Sequence, residues 1–386
     1  MDPDGGFSRA ERQRGSGAYQ SAVPPQISGY EPQLPSALAA DVDDASQSLK
    51  ELDSYSIKRL GPESPALGPM SAILLRTESA TSSQIEQLTA GARQIALAEL
   101  HESQSENART VVANVRAMEA ALALSDDLSE RSILAMHNEL LSRQPGWEEH
   151  AGRYRGELVW IGGERGSPRG ARHIAPHKEL IDAAMGDLVS FIAREDLPVL
   201  VQSAVAHAQF ETIHPFADGN GRTGRALVQA MLRGKELVRN VTAPISAGLL
   251  RNTDEYFDAL QEFRTGAAAP IVEQFNSAAR YAASSGRKLV DDLASEQDLS
   301  REKLGTLRPQ AGAWMVLPHL IAQPVVNTAY LQEHLAMNAM SAGRALDQLS
   351  EAGVLVESTG LRRNRVWQQA GVLAILDGYA AGIRRL

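Results

Sequence analysis

The sequence predicts an all-α protein, and two observations carry that expectation. From about residue 36 to 300, segments rich in Ala, Leu, Glu and Gln hold a helical period and are parted by short breaks such as Pro145-Gly146 and Gly162-Gly163. Nowhere do strands alternate with helices in the way a parallel sheet demands. The segments 83–100, 105–124, 129–143, 177–194, 197–213, 222–234 and 253–264 read as helices. One exception interrupts them. Glu157-Leu-Val-Trp-Ile-Gly-Gly, followed by Ala171-Arg-His-Ile, reads as a short β-hairpin around a Gly/Pro-rich loop.

Five stretches divide the chain by character. Residues 1–35, rich in Gly, Pro, Ser and Gln, are expected to be a flexible tail. A helical region (36–125) and a second helical region (126–267) follow, then a helical connector (268–311). Residues 312–386 suit a separate small domain. There, 325–335 and 341–352 read as two short helices, closed by Gly353. Two short strands around a turn at Ser358–Gly360 complete a winged-helix pattern.

Composition narrows the possible functions. The 386 residues suffice for a large core, and 43% hydrophobic with 22% charged residues is ordinary for a soluble globular chain. No apolar run reaches the length of a membrane span and the first residues lack a signal-peptide pattern, so no membrane role and a cytoplasmic location are expected. With no cysteine, thiol catalysis, disulfides and thiolate metal sites are excluded. A net charge of −9 argues against a charge-driven grip on nucleic acid by the chain as a whole.

Chemistry concentrates in His207-Ala-Gln-Phe-Glu-Thr-Ile-His-Pro-Phe-Ala-Asp-Gly-Asn-Gly-Arg-Thr-Gly-Arg225. An apolar helix is broken by Pro215 and two glycines, and a new helix starts near Arg222. A glycine-rich turn feeding a helix N-terminus gathers N–H groups around a concavity that favours anions. Arg222 and Arg225 stand one turn apart on the new helix, where cations oppose the dipole unless a polyanion lies before them. A triphosphate fits that place. His214 suits a general base at neutral pH, and the single carboxylate of Asp218 suits Mg²⁺ shared with phosphate oxygens.

Rival readings of the stretch fail on context. Gly219-Asn-Gly-Arg-Thr-Gly224 satisfies a dinucleotide fingerprint, but helix and proline precede it where a strand is required. A calcium loop would need an oxygen ligand at Arg222 and glycine at Thr223. Glu211-Thr-Ile-His214 has the spacing of a di-iron helix, with no second such pair nearby. His207, mid-helix, reads as a structural histidine.

His214-Pro-Phe-Ala-Asp-Gly-Asn-Gly-Arg-Thr-Gly-Arg225 resembles the Fic-family pattern HPFx[D/E]GNGRxxR at every defined position, and the likeness extends over roughly residues 36–300. The resemblance implies a protein adenylyltransferase with a Fic helical core at 126–267. His214 would deprotonate a Ser, Thr or Tyr hydroxyl of a target protein, or of the chain itself, for attack on the α-phosphorus of ATP. Asp218 would hold Mg²⁺. The nucleotide site would span Gly219, Asn220, Gly221, Arg222, Thr223, Gly224 and Arg225, with Arg222 and Arg225 on the β- and γ-phosphates. Phe216 would anchor the loop. Trp160, Ile161 and Gly162 would form a flap that pins the target by strand addition. Tyr256 falls where the family often places an aromatic near the adenine, and it reads equally as a packing residue.

Ser82-Ser-Gln-Ile-Glu86 is similar to the family's inhibitory motif, [S/T]xxxE[G/N], although Gln87 stands where Gly or Asn is usual. Ser82 and Glu86 would then restrain the enzyme from within, the glutamate pairing with Arg225. Winged helices are also carried by many Fic proteins. Arg362, Arg363 and Arg365 would suit phosphate contacts, but the recognition-like helix offers only Arg344 beside Asp347 and Glu351. A protein-interaction or homodimer role is therefore expected ahead of DNA binding. The alternatives are a nucleotide-sensing DNA-binding regulator with an idle Fic domain, and a Fic enzyme that uses another nucleotide or removes AMP.

Overall fold

Prolines and side-chain caps set many of the helix starts in the computed structural model, which describes residues 17–163, 167–358 and 365–384. Helix α1 (Ser36–Leu60) follows Pro35, and α2 (Leu67–Ile85) and α3 (Ala92–Glu99) come next. The Ser105 side chain accepts from Ala108 N–H and caps α4 (Glu106–Ala123). Ser129 and Ser132 form a reciprocal cap on α5 (Glu130–Leu141). The flap hairpin follows, with β1 (Trp160–Ile161) antiparallel to β2 (His173–Ile174). Then come α6 (Ile181–Ile192), α7 (Val199–Ile213), α8 (Asn220–Gly234), α9 (Ile245–Leu250), α10 (Thr253–Arg264) and the long α11 (Ala269–Lys303). The all-α expectation holds, since the strands are two-residue pieces.

One apolar core joins the two helical regions, 36–125 and 126–267. Leu49 and Leu52 of α1, Met70 and Ile73 of α2, and Phe210 of α7 belong to the same buried cluster. The stretch expected to connect domains is a core element: α11 packs on α1, α7, α9 and α10 and buries Ile271, Val272 and Phe275 completely. Its small residues, such as Ala279 and Ala282, allow that close approach. The stretch expected to be a loose tail is likewise tied down where it is described. Ile27 is 2% exposed, Asp187 accepts the N–H groups of Ile27 and Ser28, and Gln209 donates to Pro25 O. Residues 1–16 of that tail lie outside the described residues.

The C-terminal part contains α12 (Gly312–Val316), α13 (His319–Ala322), β3 (Val325–Val326), α14 (Thr328–Leu335), α15 (Ala339–Glu351), β4 (Val356–Glu357), β5 (Trp367–Gln368) and α16 (Ala370–Arg384). Its antiparallel strands run in the order β3-β5-β4. It has its own core around Leu331, Leu346, Leu349 and Trp367, but it is not a free appendage. Helix α16 returns to the main core through Val372, and the Tyr379 hydroxyl meets Ser285 Oγ at 3.1 Å. Arg76 of α2 donates to Ala322 O, Gln323 and Glu99. Asp377 accepts the Ala92 N–H at the start of α3. Both helices flanking Glu86 thus rest against the C-terminal part.

The expected helix 83–100 is broken, and the break positions Glu86. Helix α2 ends in a Schellman turn: Gln87 N–H bonds Gln84 O and Leu88 N–H bonds Ser83 O, at 2.8 and 3.1 Å. That turn puts Gln87 at φ +64°, a left-handed conformation in which a side chain costs energy. The Gln87 side chain is exposed, so the cost of its departure from Gly or Asn lies in the backbone, not in helix packing. Gln87→Gly should therefore stabilise the protein by about 0.5–1 kcal/mol, read as a higher urea midpoint at unchanged slope.

Candidate active site

Helix α7 is buried around its whole circumference, with Ala204, Val205, Ala208 and Phe210 each 0% exposed, so its C-terminal end is held rigidly. His214 caps it in a left-handed conformation, φ 48° and ψ 60°, which is strained for a non-glycine residue and recurs at functional sites. Arg155 holds that conformation from outside. Its guanidinium donates to His214 O (2.8 Å), Glu157 O (2.9 Å) and Pro176 O (2.6 Å), tying the loop to both ends of the flap. Phe216 is fully buried, as expected of an anchor, and stacks on His137 with centroids 3.6 Å apart. His137 Nδ1 accepts from Gly152 N–H, so its Nε2 donates to Asp218 O at 3.0 Å. Burial pushes the His137 pKa down to about 4, which keeps it neutral in this role.

Helix α8 begins with Gly219 in the left-handed region, φ 76°, and no side chain caps it. Its first N–H groups are therefore open to an anion from elsewhere. In this structure Glu86 lies beside that helix start and pairs with its two arginines. Its Oε1 accepts from Arg225 Nη2 at 2.6 Å and its Oε2 from Arg222 Nε at 2.9 Å. Ser82 completes the grip, accepting from Arg225 Nε at its hydroxyl (2.8 Å) and from Nη2 at its carbonyl (2.9 Å). A Cβ at Gly221 would sit 2.5 Å from Glu86 Oε1, so glycine is what admits the carboxylate here. Burial disfavours charge on Arg225, and Glu86 beside it more than offsets this, raising its pKa. Arg222 also donates to Asp218 Oδ2 at 2.8 Å, linking the four charges into one network. His214, Asp218, Glu86 and both arginines line a cavity of about 580 Å³.

The other expected nucleotide residues also hold the loop and the helices in shape. Asn220 lines the cavity but turns its side chain onto the Phe216 backbone, accepting from N–H and donating to O at 2.9 Å each, and so folds the loop. Thr223 is 0% exposed and, with Gly224, points into the core. A Cβ at Gly224 would meet the Phe210 ring at 2.9 Å, so this glycine serves helix packing. Tyr256 lies at the cavity floor but is 1% exposed, and it shares a 2.6 Å hydrogen bond with His207 Nε2. Its burial leaves little of the ring open to the cavity that it lines. His207 is buried, with its pKa pushed down to about 4 by desolvation, as a structural histidine should be. At the flap, Trp160 and Ile161 pair with Ile174 and His173 and line the cavity rim, and Gly162 turns the chain at φ 75°. Part of the flap tip, 164–166, is outside the described residues.

The sequence model of the Fic/DOC family matches residues 127–232, from the start of α5 to α8. This segment is a Fic/DOC domain. Over 108 residues it is 34% identical to a probable protein adenylyltransferase of Aquifex aeolicus (strain VF5), covering 28% of this chain and 31% of that protein. The protein adenylyltransferase Fic of Nematostella vectensis is 27% identical over 153 residues, 38% of this chain and 31% of its own length. The alignments thus span about a third of these relatives. A solved Fic family protein from Desulfovibrio desulfuricans G20 shares the fold at a TM-score of 0.54 with 21% identity, over 88% of this chain and 98% of that one. The fold likeness therefore reaches well beyond the Fic domain.

Sequence reading missed Arg155 and His137 as residues that hold the Fic loop, and it missed the Arg222–Glu86 pair. Nothing local sets Arg155 apart, since Arg153 and Glu157 stand two residues to either side of it. Beneath the Glu86 turn, α2 also buries Glu78, which accepts from Ser246 N–H (2.9 Å) and Oγ (2.6 Å). Desolvation raises the Glu78 pKa to about 7, well above its ordinary value of 4.5. The folded state then binds a proton that the unfolded state releases between these values. Stability from this group is full below pH 4.5 and falls as pH rises through about 7. Glu78→Gln should remove this fall, on the order of 3 kcal/mol, as seen by comparing urea midpoints of the two proteins at pH 5 and pH 8.

Proposed function

We propose that the chain is an Mg²⁺-dependent protein adenylyltransferase held in check by Glu86. The carrying observation is the single cavity that joins His214 to the open N-terminus of α8, with Arg222 and Arg225 on its wall. Relatives of the Fic domain named protein adenylyltransferases support the same reading. The target's Ser, Thr or Tyr oxygen attacks the α-phosphorus of ATP while His214 takes the hydroxyl proton. The bond from the α-phosphorus to the bridging oxygen breaks, and pyrophosphate leaves. The N–H groups of the Gly219–Gly221 turn and the two arginines offset the charge that develops on the phosphates.

Asp218 fits a metal of this kind. Its carboxylate is 40% exposed and lines the cavity, and among the described residues Arg222 is its one salt-bridge partner. A single carboxylate shared with phosphate oxygens is a usual Mg²⁺ arrangement, and the ion would supply charge neutralisation there. A target segment would add to the free edge of β1 beside the exposed Ile161. The opposite edge of the flap is already used by Ala22, whose N–H donates to Ile174 O.

For the C-terminal part, a winged helix in our reading, protein interaction or dimerisation is favoured over DNA. Arg365 is held by Glu357 and lies 4.6 Å from the Trp367 ring centre, so its charge is already used. Arg362 and Arg363 are outside the described residues.

ATP labelled at the α-phosphate should transfer its label to protein in the presence of Mg²⁺, whereas γ-labelled ATP should not. His214→Ala should lower that transfer about 10²-fold or more while binding ATP normally. Label arriving from the γ-position, or undiminished transfer by His214→Ala, would refute the reading. Asp218→Ala should abolish transfer and its Mg²⁺ dependence together, a result checked by titrating Mg²⁺ against initial rate.

A further inference from the structure

Glu211-Thr-Ile-His214 is a motif that the transferase chemistry leaves unused. Glu211 lies in the last turn of α7 and His214 caps its end, and Glu211 Oε2 lies 3.5 Å from His214 Nδ1. Both are enclosed, at 7% and 16% side-chain exposure. His214 Nδ1 is fully covered and makes no hydrogen bond of ordinary geometry among the described residues, and the same is true of Glu211 Oε1. A buried glutamate is often explained by a nearby arginine. Arg264 is close, but its hydrogen bond goes to the Glu211 main-chain oxygen, at 3.2 Å, and leaves the carboxylate facing His214.

We propose that Glu211 is the positioning residue for His214, its carboxylate accepting from Nδ1–H so that the neutral ring keeps Nε2 unprotonated for the substrate proton. This rests on the reading of His214 as the base. An ionised carboxylate only accepts, so it selects the imidazole tautomer with hydrogen on the facing nitrogen. It also steadies the imidazolium formed when the proton arrives. At 3.5 Å the contact is long, as such contacts often are before substrate tightens them.

The charged and titratable groups around Glu211 are consistent with this role. His207 and His214 share its helix, Arg225 faces it from α8, Arg264 and Tyr256 from α10, and His173 from β2. Burial raises the Glu211 pKa, but the His214 hydrogen bond and charge, with His207 and Arg225, bring it down to about 2. His173 is bonded through Nε2 to Thr212 O, and desolvation lowers its pKa to about 3, so it stays neutral.

Long-range ¹H–¹⁵N spectra of the full chain read the His214 tautomer without any turnover, the signal being assigned by its loss in His214→Ala. The expected form is Nδ1–H. In Glu211→Gln the Nε2–H form should gain population, because an amide can donate to Nδ1 as well as accept from it. Glu211→Gln should also slow label transfer about tenfold or more, with the KM for ATP unchanged, and Glu211→Asp should restore part of the rate. An Nε2–H tautomer in the unaltered protein, or an unmoved tautomer balance in folded Glu211→Gln, overturns the proposal. The expected tautomers in a protein that transfers no label would uphold the role of Glu211 and strike the transferase reading instead.

Discussion

The paired contact of one carboxylate, Glu86, with Arg222 and Arg225 is the interaction around which the rest of the site is arranged. Two arginines at the N-terminus of a helix are electrostatically costly, doubly so when only 3% exposed. Something negative must sit before them. Here the protein supplies it with Glu86 at the end of α2, beside the uncapped start of α8. Removing one partner of such a buried pair leaves uncompensated charge, which explains why the surroundings of Glu86 are so closely specified. The Schellman turn ends α2 at the residue before it, the Gln87 backbone accepts strain, and Gly221 omits a side chain where the carboxylate lies.

In the proposed function the same rigidity would serve the chemistry. A base must be held to a fraction of an ångström, and a loop alone rarely does that. Here the loop between α7 and α8 is tied by groups from three directions. Phe216 stacks on His137 below, Asn220 closes the loop on itself, and Arg155 binds three carbonyl oxygens above. These ties hold the left-handed backbone of His214 in place. The flap shares the Arg155 anchor, which couples the place where a target would dock to the place where its proton would go.

How much of this was legible in the sequence follows from where the information sits. The glycines, arginines, His214 and Asp218 fall within a dozen consecutive residues, so their proximity needed no fold. The helical period and the Gly/Pro breaks made the all-α class visible, and the hairpin stood out by its β-rich residues. Contacts between distant segments were not legible. Arg155 meets His214 across 59 residues and Arg225 meets Glu86 across 139, and only the motif made the second pair foreseeable. Burial direction was also hidden: Thr223 and Gly224 belong to the motif but look inward, because a helix start exposes one side only. The loose tail and the connector were misjudged because Pro-, Gly- and Ala-rich stretches look weakly apolar, yet Ile27 and the small residues of α11 fit close against a core already formed.

The central claim is that Glu86 withholds the arginines and the helix N-terminus from ATP. Its most direct measurement is the initial rate of label transfer from α-labelled ATP, at saturating ATP and Mg²⁺, in the unaltered protein and in Glu86→Gly. If the carboxylate blocks productive phosphate placement, Glu86→Gly transfers about tenfold faster or more. An unchanged rate in a Glu86→Gly protein with native circular dichroism would contradict the account.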